Sequence, residues 1–443
     1  MTAEAVIMNK AAIAMAADSA VTVSSGRRGV KIFDSMNKLF ELVDDSNVGV
    51  MIYGNAELNG LPWESAIKYY KLSRRGFRGS SLEEYVDNFS AYLADPNNVL
   101  SIETDASTVL NVVYGKLLAV FDYIDRERLR WVAGSGRPIK SKLRQVLAEA
   151  LMLLEEFLLA ADEAPWASVL TDSVLRANYG KEIDKLVREI FVEFDISARM
   201  RNKIVDLGIE AVRRCTPESA DTGLIIAGFA GKSPLPKIYE VTVRGRVNGV
   251  LRLTEPEWTE ISVDNPSYLS TFAQDEEAWG FVSGITSDVR NAVTEYWDSW
   301  HQSFGIDVVE CVRQIVPRIS SNRLKNIERE VAKLARQKFD EFLANMQVRQ
   351  EELYIRPMLD SLAMLPKDEL GVLAESLVSV TSLKQRMSIF DAETVGGPID
   401  VALISPGDGF VWLKHKHYFS RELNPAWHLT HHATVFNGGD VDG

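Results

Sequence analysis

The first eighteen residues constrain the fold more than any other stretch. Thr2 is followed by Ala3-Glu4-Ala5-Val6-Ile7-Met8, the polar pair Asn9-Lys10, and Ala11-Ala12-Ile13-Ala14-Met15-Ala16-Ala17-Asp18. Two short apolar runs about a polar dipeptide predict a β-hairpin. The runs are almost continuously apolar, so the hairpin is expected to be buried on both faces. Chain starts ordinarily fray at the surface. A buried start points to use of the terminal amine. A free α-amine titrates near ~8, and beside a threonine hydroxyl it can act as general base for its own nucleophile.

Composition narrows the partners. A net charge of −13 argues against a nucleic-acid surface or an anionic membrane, both of which need a basic face. Cys215 and Cys311 stand in no metal or redox spacing, so they are expected as reduced core thiols of a cytosolic protein. The opening residues carry Glu4, Lys10 and Asp18 without a basic start, a poor signal peptide. No uninterrupted apolar run reaches the ~20 residues that span a bilayer. His428-x-x-His431-His432 lacks a carboxylate to complete a metal spacing, and the Gly134-Ser135-Gly136 pair does not follow a strand. No cofactor or metal is expected.

Along the chain, Val21 to Gly29 is expected as a polar loop, with strands at Asn37–Val43 and Val48–Tyr53 broken by Gly54-Asn55-Ala56. Helices are expected from Trp63 to about Arg75 and from Leu82 to about Leu93. Helical periodicity fills 107–130, 139–161, 166–191 and 198–214. Strands resume at Thr222–Ala230, Lys237–Val243, Val250–Thr254 and Tyr268–Phe272. Helices follow from Asp275 past Trp300, over 323–353 and from Leu370 to Met387. The last strands are Ile399–Ile404 and Gly409–Leu413. The expected division is a core in three parts (1–103, 216–302, 367–419), helical insertions at 104–215 and 303–366, and a tail at 420–443. Without the insertions, the order is four strands, two helices, four strands, two helices, two strands. Two antiparallel sheets packed face to face with helices outside accommodate that order, an α+β class.

Ala16-Ala17-Asp18-Ser19-Ala20-Val21-Thr22, Lys38-Leu39-Phe40-Glu41-Leu42 and Tyr53-Gly54-Asn55-Ala56 occur in the order and rough spacing of proteasome β-type subunits. The chain resembles that family and the related bacterial two-component peptidases, all N-terminal nucleophile (Ntn) hydrolases. The late run Asp391-Ala392-Glu393-Thr394-Val395-Gly396-Gly397 is similar to the family's Asp-x-x-Ser-Gly-Gly segment, with one extra residue and Thr in place of Ser. The resemblance covers about half of the chain. It implies a four-layer αββα sandwich and a threonine peptidase or amidase. Thr2 would be the nucleophile, exposed by removal of Met1. Asp18 would hold Lys38, Lys38 would lower the Thr2 hydroxyl pKa, the Gly54 N–H would be an oxyanion donor, and Asp391 and Thr394 would orient the Thr2 amine. The family's Ser-Gly pair before its third helix has no counterpart at Thr271-Phe272-Ala273-Gln274-Asp275.

Each residue also has a plain structural counterpart: Asp18 as a turn residue, Lys38 as a strand-edge lysine, Gly54 as a strand terminator, Asp391 as a loop carboxylate. Peptide or amide substrate, a homo-oligomer and a protein partner recruited by the insertions are the associations this implies. An inactive proteasome-fold scaffold and a small-molecule amidase of the same superfamily are the competing expectations.

Overall fold

The computed structural model describes residues 3–24, 30–98, 104–134, 140–192, 194, 196–231, 233–273, 276–316, 318–387, 396–417, 419–420 and 422–424. The chain is α+β, with antiparallel sheets and many helices. The opening hairpin is present as β1 (Ala3–Asn9) and β2 (Ile13–Ala17), and every residue of both strands is buried. Asn9 closes it by accepting the Ala11 and Ala12 N–H groups on Oδ1, an Asx-type turn. Its amide nitrogen donates to the Leu362 and Leu365 carbonyls, so the turn is also anchored to the distant chain.

β3 (Val21–Ser24) and β4 (Val30–Phe33) form a small two-stranded ribbon in register Val21 to Phe33. This corrects the polar loop expected there. Val21-Thr22-Val23 is β-branched and favours a strand despite the polar neighbours. Then come β5 (Leu39–Glu41), β6 (Val48–Gly54), β7 (Glu57–Leu58), β8 (Leu61–Pro62), α1 (Trp63–Ser73) and α2 (Leu82–Ala94). The helical stretch comprises α3 (Asp105–Gly134), α4 (Lys140–Ala160), α5 (Asp172–Ile190) and α6 (Ala198–Arg213). A 3-10 turn at Pro165–Ser168 separates α4 from α5, and Thr171 caps α5 by accepting the Val174 N–H at 3.4 Å. The single helix expected over 166–191 is therefore split.

β9 (Thr222–Gly228), β10 (Lys237–Val247), β11 (Val250–Leu253), β12 (Glu257–Glu260) and β13 (Ser267–Ala273) follow. The rest is α7 (Glu276–Ser283), α8 (Ser287–Ile315), α9 (Ser321–Gln350), α10 (Arg356–Leu362), α11 (Lys367–Met387), β14 (Asp400–Ser405) and β15 (Gly409–Lys414). α8 runs unbroken from Ser287 to Ile315, through residue 303 and with Gly305 inside it, and packs on α9 in a second helical block. Within that block the Trp297 and Phe339 rings stack at 4.8 Å between α8 and α9. Cys311 is exposed on α8, whereas Cys215 is partly buried against the helical core, so only one of the two thiols is a packing residue.

One sheet has the order β13-β1-β2-β14-β15 and the other β11-β10-β9-β6-β5, with β12 also paired to β10. Strand alternation decides what meets what. Val6, Met8, Ile13 and Met15 face Met51, Ile225 and Ala227 of the second sheet. Ala5, Ile7, Ala14 and Ala16 face the other way, onto Ala374, Leu377 and Val378 of α11 and Val282 of α7. Small alanines there let α11 approach the sheet closely. On the second sheet Val50, Ile52, Leu224 and Ile226 pack on Trp63, Ile67 and Phe89 of α1 and α2. Burying such a side chain contributes about 1.5–3 kcal/mol, so these three interfaces dominate the stability of the sheets.

The helices α3 to α6 have a core of their own, including Val113, Leu117, Leu147, Ile183 and Ile204, closed on one side by Val247 of β10. Asp105–Arg130 of α3 is long and apolar enough to cross a membrane by length and composition. Its residues Val109, Val113 and Leu117 are buried in that core.

Candidate functional site

Asp18 follows β2 directly, and its backbone closes the start of β1: the Asp18 N–H donates to the Ala3 carbonyl at 3.1 Å. Its carboxylate is 1% exposed, and every contact on it comes from a donor. Oδ1 accepts the Ala3 N–H at 3.1 Å and the Lys38 ammonium. Oδ2 accepts the Gly396 N–H at 2.9 Å and the Ala20 N–H at 3.3 Å. A buried carboxylate satisfied in this way fixes whatever donates to it. Four chain segments are therefore locked to one side chain: the start of β1, the turn after β2, the residue before β5, and the segment just before β14. Ser19 strengthens the last link. Its N–H donates to the Gly396 carbonyl at 3.2 Å and its hydroxyl to the Pro398 carbonyl.

Lys38 sits one residue before β5, and its carbonyl accepts the Ile52 N–H at 2.9 Å, which extends the β5–β6 pairing to it. The side chain is 2% exposed and reaches across to the first sheet. There it meets a second carboxylate, Glu4, at 3.3 Å. Glu4 was not singled out by the sequence patterns. The signal was available: it alternates with Val6 and Met8 on the face of β1 that meets the second sheet, and a charge on an otherwise apolar inward face calls for a partner.

Gly54 ends β6, two residues past Ile52, which is about 7 Å along the strand from the Lys38 backbone. Its φ of +85° lies in the left-handed region. An added Cβ would come within 2.5 Å of the Asp221 carbonyl. Both facts require glycine. The neighbouring backbone is held firmly. The Asn55 N–H donates to the Asp221 carbonyl at 2.9 Å, and the Thr222 hydroxyl donates to the Asn55 carbonyl at 2.9 Å. The Trp63 indole N–H in turn donates to that hydroxyl at 3.0 Å. Tyr53 donates to Glu240, and burial, that hydrogen bond and the Glu240 and Glu4 charges push its phenol pKa well up.

Thr2, with Met1, lies outside the described residues, as do Asp391 and Thr394. Of the six residues singled out from sequence, Asp18 and Lys38 are in direct contact, and Gly54 ends the strand next to the one Lys38 leads. His428, His431 and His432 are also outside the described residues. His415 contacts Asp400 through Nδ1 at 3.2 Å. Burial would raise the Asp400 pKa, but hydrogen bonds from His415 and Lys416 outweigh it and hold the carboxyl below its ordinary value. Among the described residues no group of three or more His, Cys, Asp or Glu could hold a metal ion.

No family model matches the sequence, and no curated protein matches it. Among solved structures the chain is similar to an Anbu (Gly-1) mutant from Hyphomicrobium sp. strain MC1, at 10% identity over 100% of both chains and a TM-score of 0.28. A superposition that loose carries no argument about individual residues.

Proposed function

We propose that the chain is a threonine-type Ntn hydrolase with a proteasome-subunit-like αββα core, cleaving peptide or other amide bonds through Thr2. The observation that carries this reading is the buried Asp18–Lys38 pair bonded to the Ala3 amide, one residue from Thr2. The Thr2 hydroxyl attacks the amide carbonyl, and the Thr2 amine takes its proton. The Lys38 ammonium favours the attacking oxygen as an anion. The Gly54 N–H stabilises the oxyanion of the tetrahedral intermediate. Collapse expels the amine product, which leaves with the proton held by the Thr2 ammonium. Water then hydrolyses the Thr2 ester through the same amine. Asp391 and Thr394 orient that amine. The helical blocks shape access, and a cytoplasmic location with self-association belongs to the same proposal.

Removal of Met1 is the condition for this chemistry. Intact mass is expected to be that of the chain starting at Thr2, and a peptide β-lactone is expected to add once, on Thr2. Quantitative retention of Met1, or full hydrolysis by Thr2→Ala, would overturn the proposal. Retention would favour a scaffold, for which the exposed Tyr296, Leu334 and Phe342 on α8 and α9 supply an apolar face.

A further inference from the structure

A cavity of about 950 Å³ lies between the helical bundle and the second sheet. One wall is apolar: Tyr114 and Leu118 from α3, Leu153 and Phe157 from α4. These lining side chains are among the exposed large apolar residues of the protein. The opposite wall carries Asn55 and Thr222, the residue after Gly54 and the residue paired with it. The volume and the mix of apolar wall with few polar groups suit a small molecule or a short peptide.

Beneath the cavity sits a buried charge cluster that sequence patterns did not reveal. Arg244, which lines the cavity and is 7% exposed, donates to both Asp221 oxygens, at 3.0 and 3.2 Å. Arg252, fully buried, donates to Glu218. Both guanidinium groups lie over the Trp166 ring, Arg244 at 5.9 Å and Arg252 at 5.2 Å from its centre. Lys116 donates to the Pro217 carbonyl at 2.6 Å and faces the same charges. Three cations against two carboxylates leave one positive charge. Arg244 Nη1, Arg252 Nε and Nη1 and, on the acceptor side, Glu218 Oε2 have no hydrogen-bond partner among the described residues, and of the two arginines only Arg244 lines the cavity. Glu57 and Arg126, also in the lining, are exposed and of opposite sign, so they do not change the balance. Glu218 Oε2 can serve Arg252, but the surplus charge, carried by the half-buried Lys116, and the free Nη1 of Arg244 both stand at the cavity wall, where an anion would meet them.

We infer that the cavity binds a hydrophobic peptide by its free C-terminal carboxylate, with Arg244 and Lys116 as the anion contact and α3–α4 as the apolar wall. The register supports the span. Gly54 pairs with Thr222, and Thr222 with Val243, so Arg244 lies about two strand spacings, roughly 10 Å, from Gly54. An extended peptide covers that distance in about three residues. The inference rests on the reading of Gly54 as the oxyanion donor for its position relative to cleavage, but the carboxylate site itself does not.

The test is calorimetric titration of the full chain with acetyl-Leu-Leu-Phe and with its C-terminal amide. The acid is expected to bind at least tenfold tighter than the amide. Arg244→Gln is expected to abolish that preference. Leu153→Trp, which fills the apolar wall without touching the cluster, is expected to weaken both ligands equally. Equal binding of acid and amide by the wild-type chain, or no binding of either, overturns the inference and needs no variant. An acid preference in a chain that hydrolyses nothing supports the anion site while counting against the hydrolase. For an active chain, cleavage is expected to leave a product of about three residues from the C-terminus.

Discussion

Two buried charge clusters flank the end of β6, and they are built on opposite principles. At the candidate site, one ammonium, Lys38, meets two carboxylates, Asp18 and Glu4, and backbone N–H groups supply further donors to Asp18. Under the helical bundle, two arginines pair with two carboxylates, the half-buried Lys116 adds a third cation beside them, and guanidinium N–H groups and one Glu218 oxygen are left over. The first cluster uses the surrounding backbone to satisfy its anion and so fixes geometry. The second carries a surplus cation at the cavity wall and so is suited to take an anion from outside. The proposed hydrolase would use both kinds of site: a rigid one at the reacting bond, and one completed by ligand.

The largest effect is expected where the internally satisfied cluster is broken. Lys38→Met leaves Asp18 and Glu4 buried without their cation, and removing one partner of a buried pair typically costs about 3–5 kcal/mol. Equilibrium denaturation in urea is the measurement. A loss below about 1 kcal/mol would mean that the cluster behaves as a hydrated surface pair, and the contrast between the two sites would collapse.

Arg252→Met attacks the other cluster, and there the carboxylate can respond. Burial raises the Glu218 pKa above its ordinary value, although Arg252 works against the rise. A raised carboxyl pKa means that the folded state holds the proton more tightly than the unfolded state. Stability from this source is complete below the unfolded pKa of about 4.3 and drains away as pH rises through the folded pKa. Without Arg252 the shift grows. The variant is expected to lose about 3 kcal/mol near pH 8 and distinctly less near pH 5. An equal loss at both pH values would show that Glu218 does not take up the proton.

The two clusters differed in how far sequence revealed them. Asp18, Lys38 and Gly54 each adjoin a strong local pattern: a near-continuous apolar hairpin, a strand start, and a strand-ending glycine. Their partners are also few strands away. Glu4 is hidden in a strand whose run is otherwise apolar, and its partner Lys38 comes from the opposite sheet. Arg244 and Arg252 lie where the apolar alternation of β10 and β11 gives way to charge. Their partners Glu218 and Asp221 come from the loop before β9, and Trp166 from the helical bundle. No periodicity encodes a meeting of three such segments. The β3–β4 ribbon is obscured for a different reason: the polar residues after Val21-Thr22-Val23 mask three β-branched residues.

A smaller change tests the strand that separates the clusters. Gly223 of β9 faces the Tyr53 ring, and a Cβ there would lie 2.0 Å from it. Gly223→Ala is expected to cost about 1–3 kcal/mol by overpacking. Adding Tyr53→Ala should recover part of that loss, because the clash is gone. Additive losses in denaturation would instead place the strain in the β9 backbone.

Glu4→Gln is expected to have the smallest effect on stability and a directional effect on rate. The substitution keeps the shape of the side chain, and Asp18 still pairs with Lys38. The cluster changes from one surplus negative charge to none, which lessens the cost of burying it. Stability should therefore change by no more than about 1 kcal/mol. Under the proposed mechanism, Glu4 offsets part of the Lys38 field at the chain start. Without it, the Thr2 amine should lose its proton at lower pH, since a less compensated cation disfavours a second one nearby. The acid limb of the kcat/KM profile against pH should then move toward lower pH. A shift toward higher pH would mean that the Glu4 charge does not reach the amine through Lys38. An unmoved profile with a changed stability would make Glu4 a packing residue, and the candidate site would reduce to Asp18 and Lys38 alone.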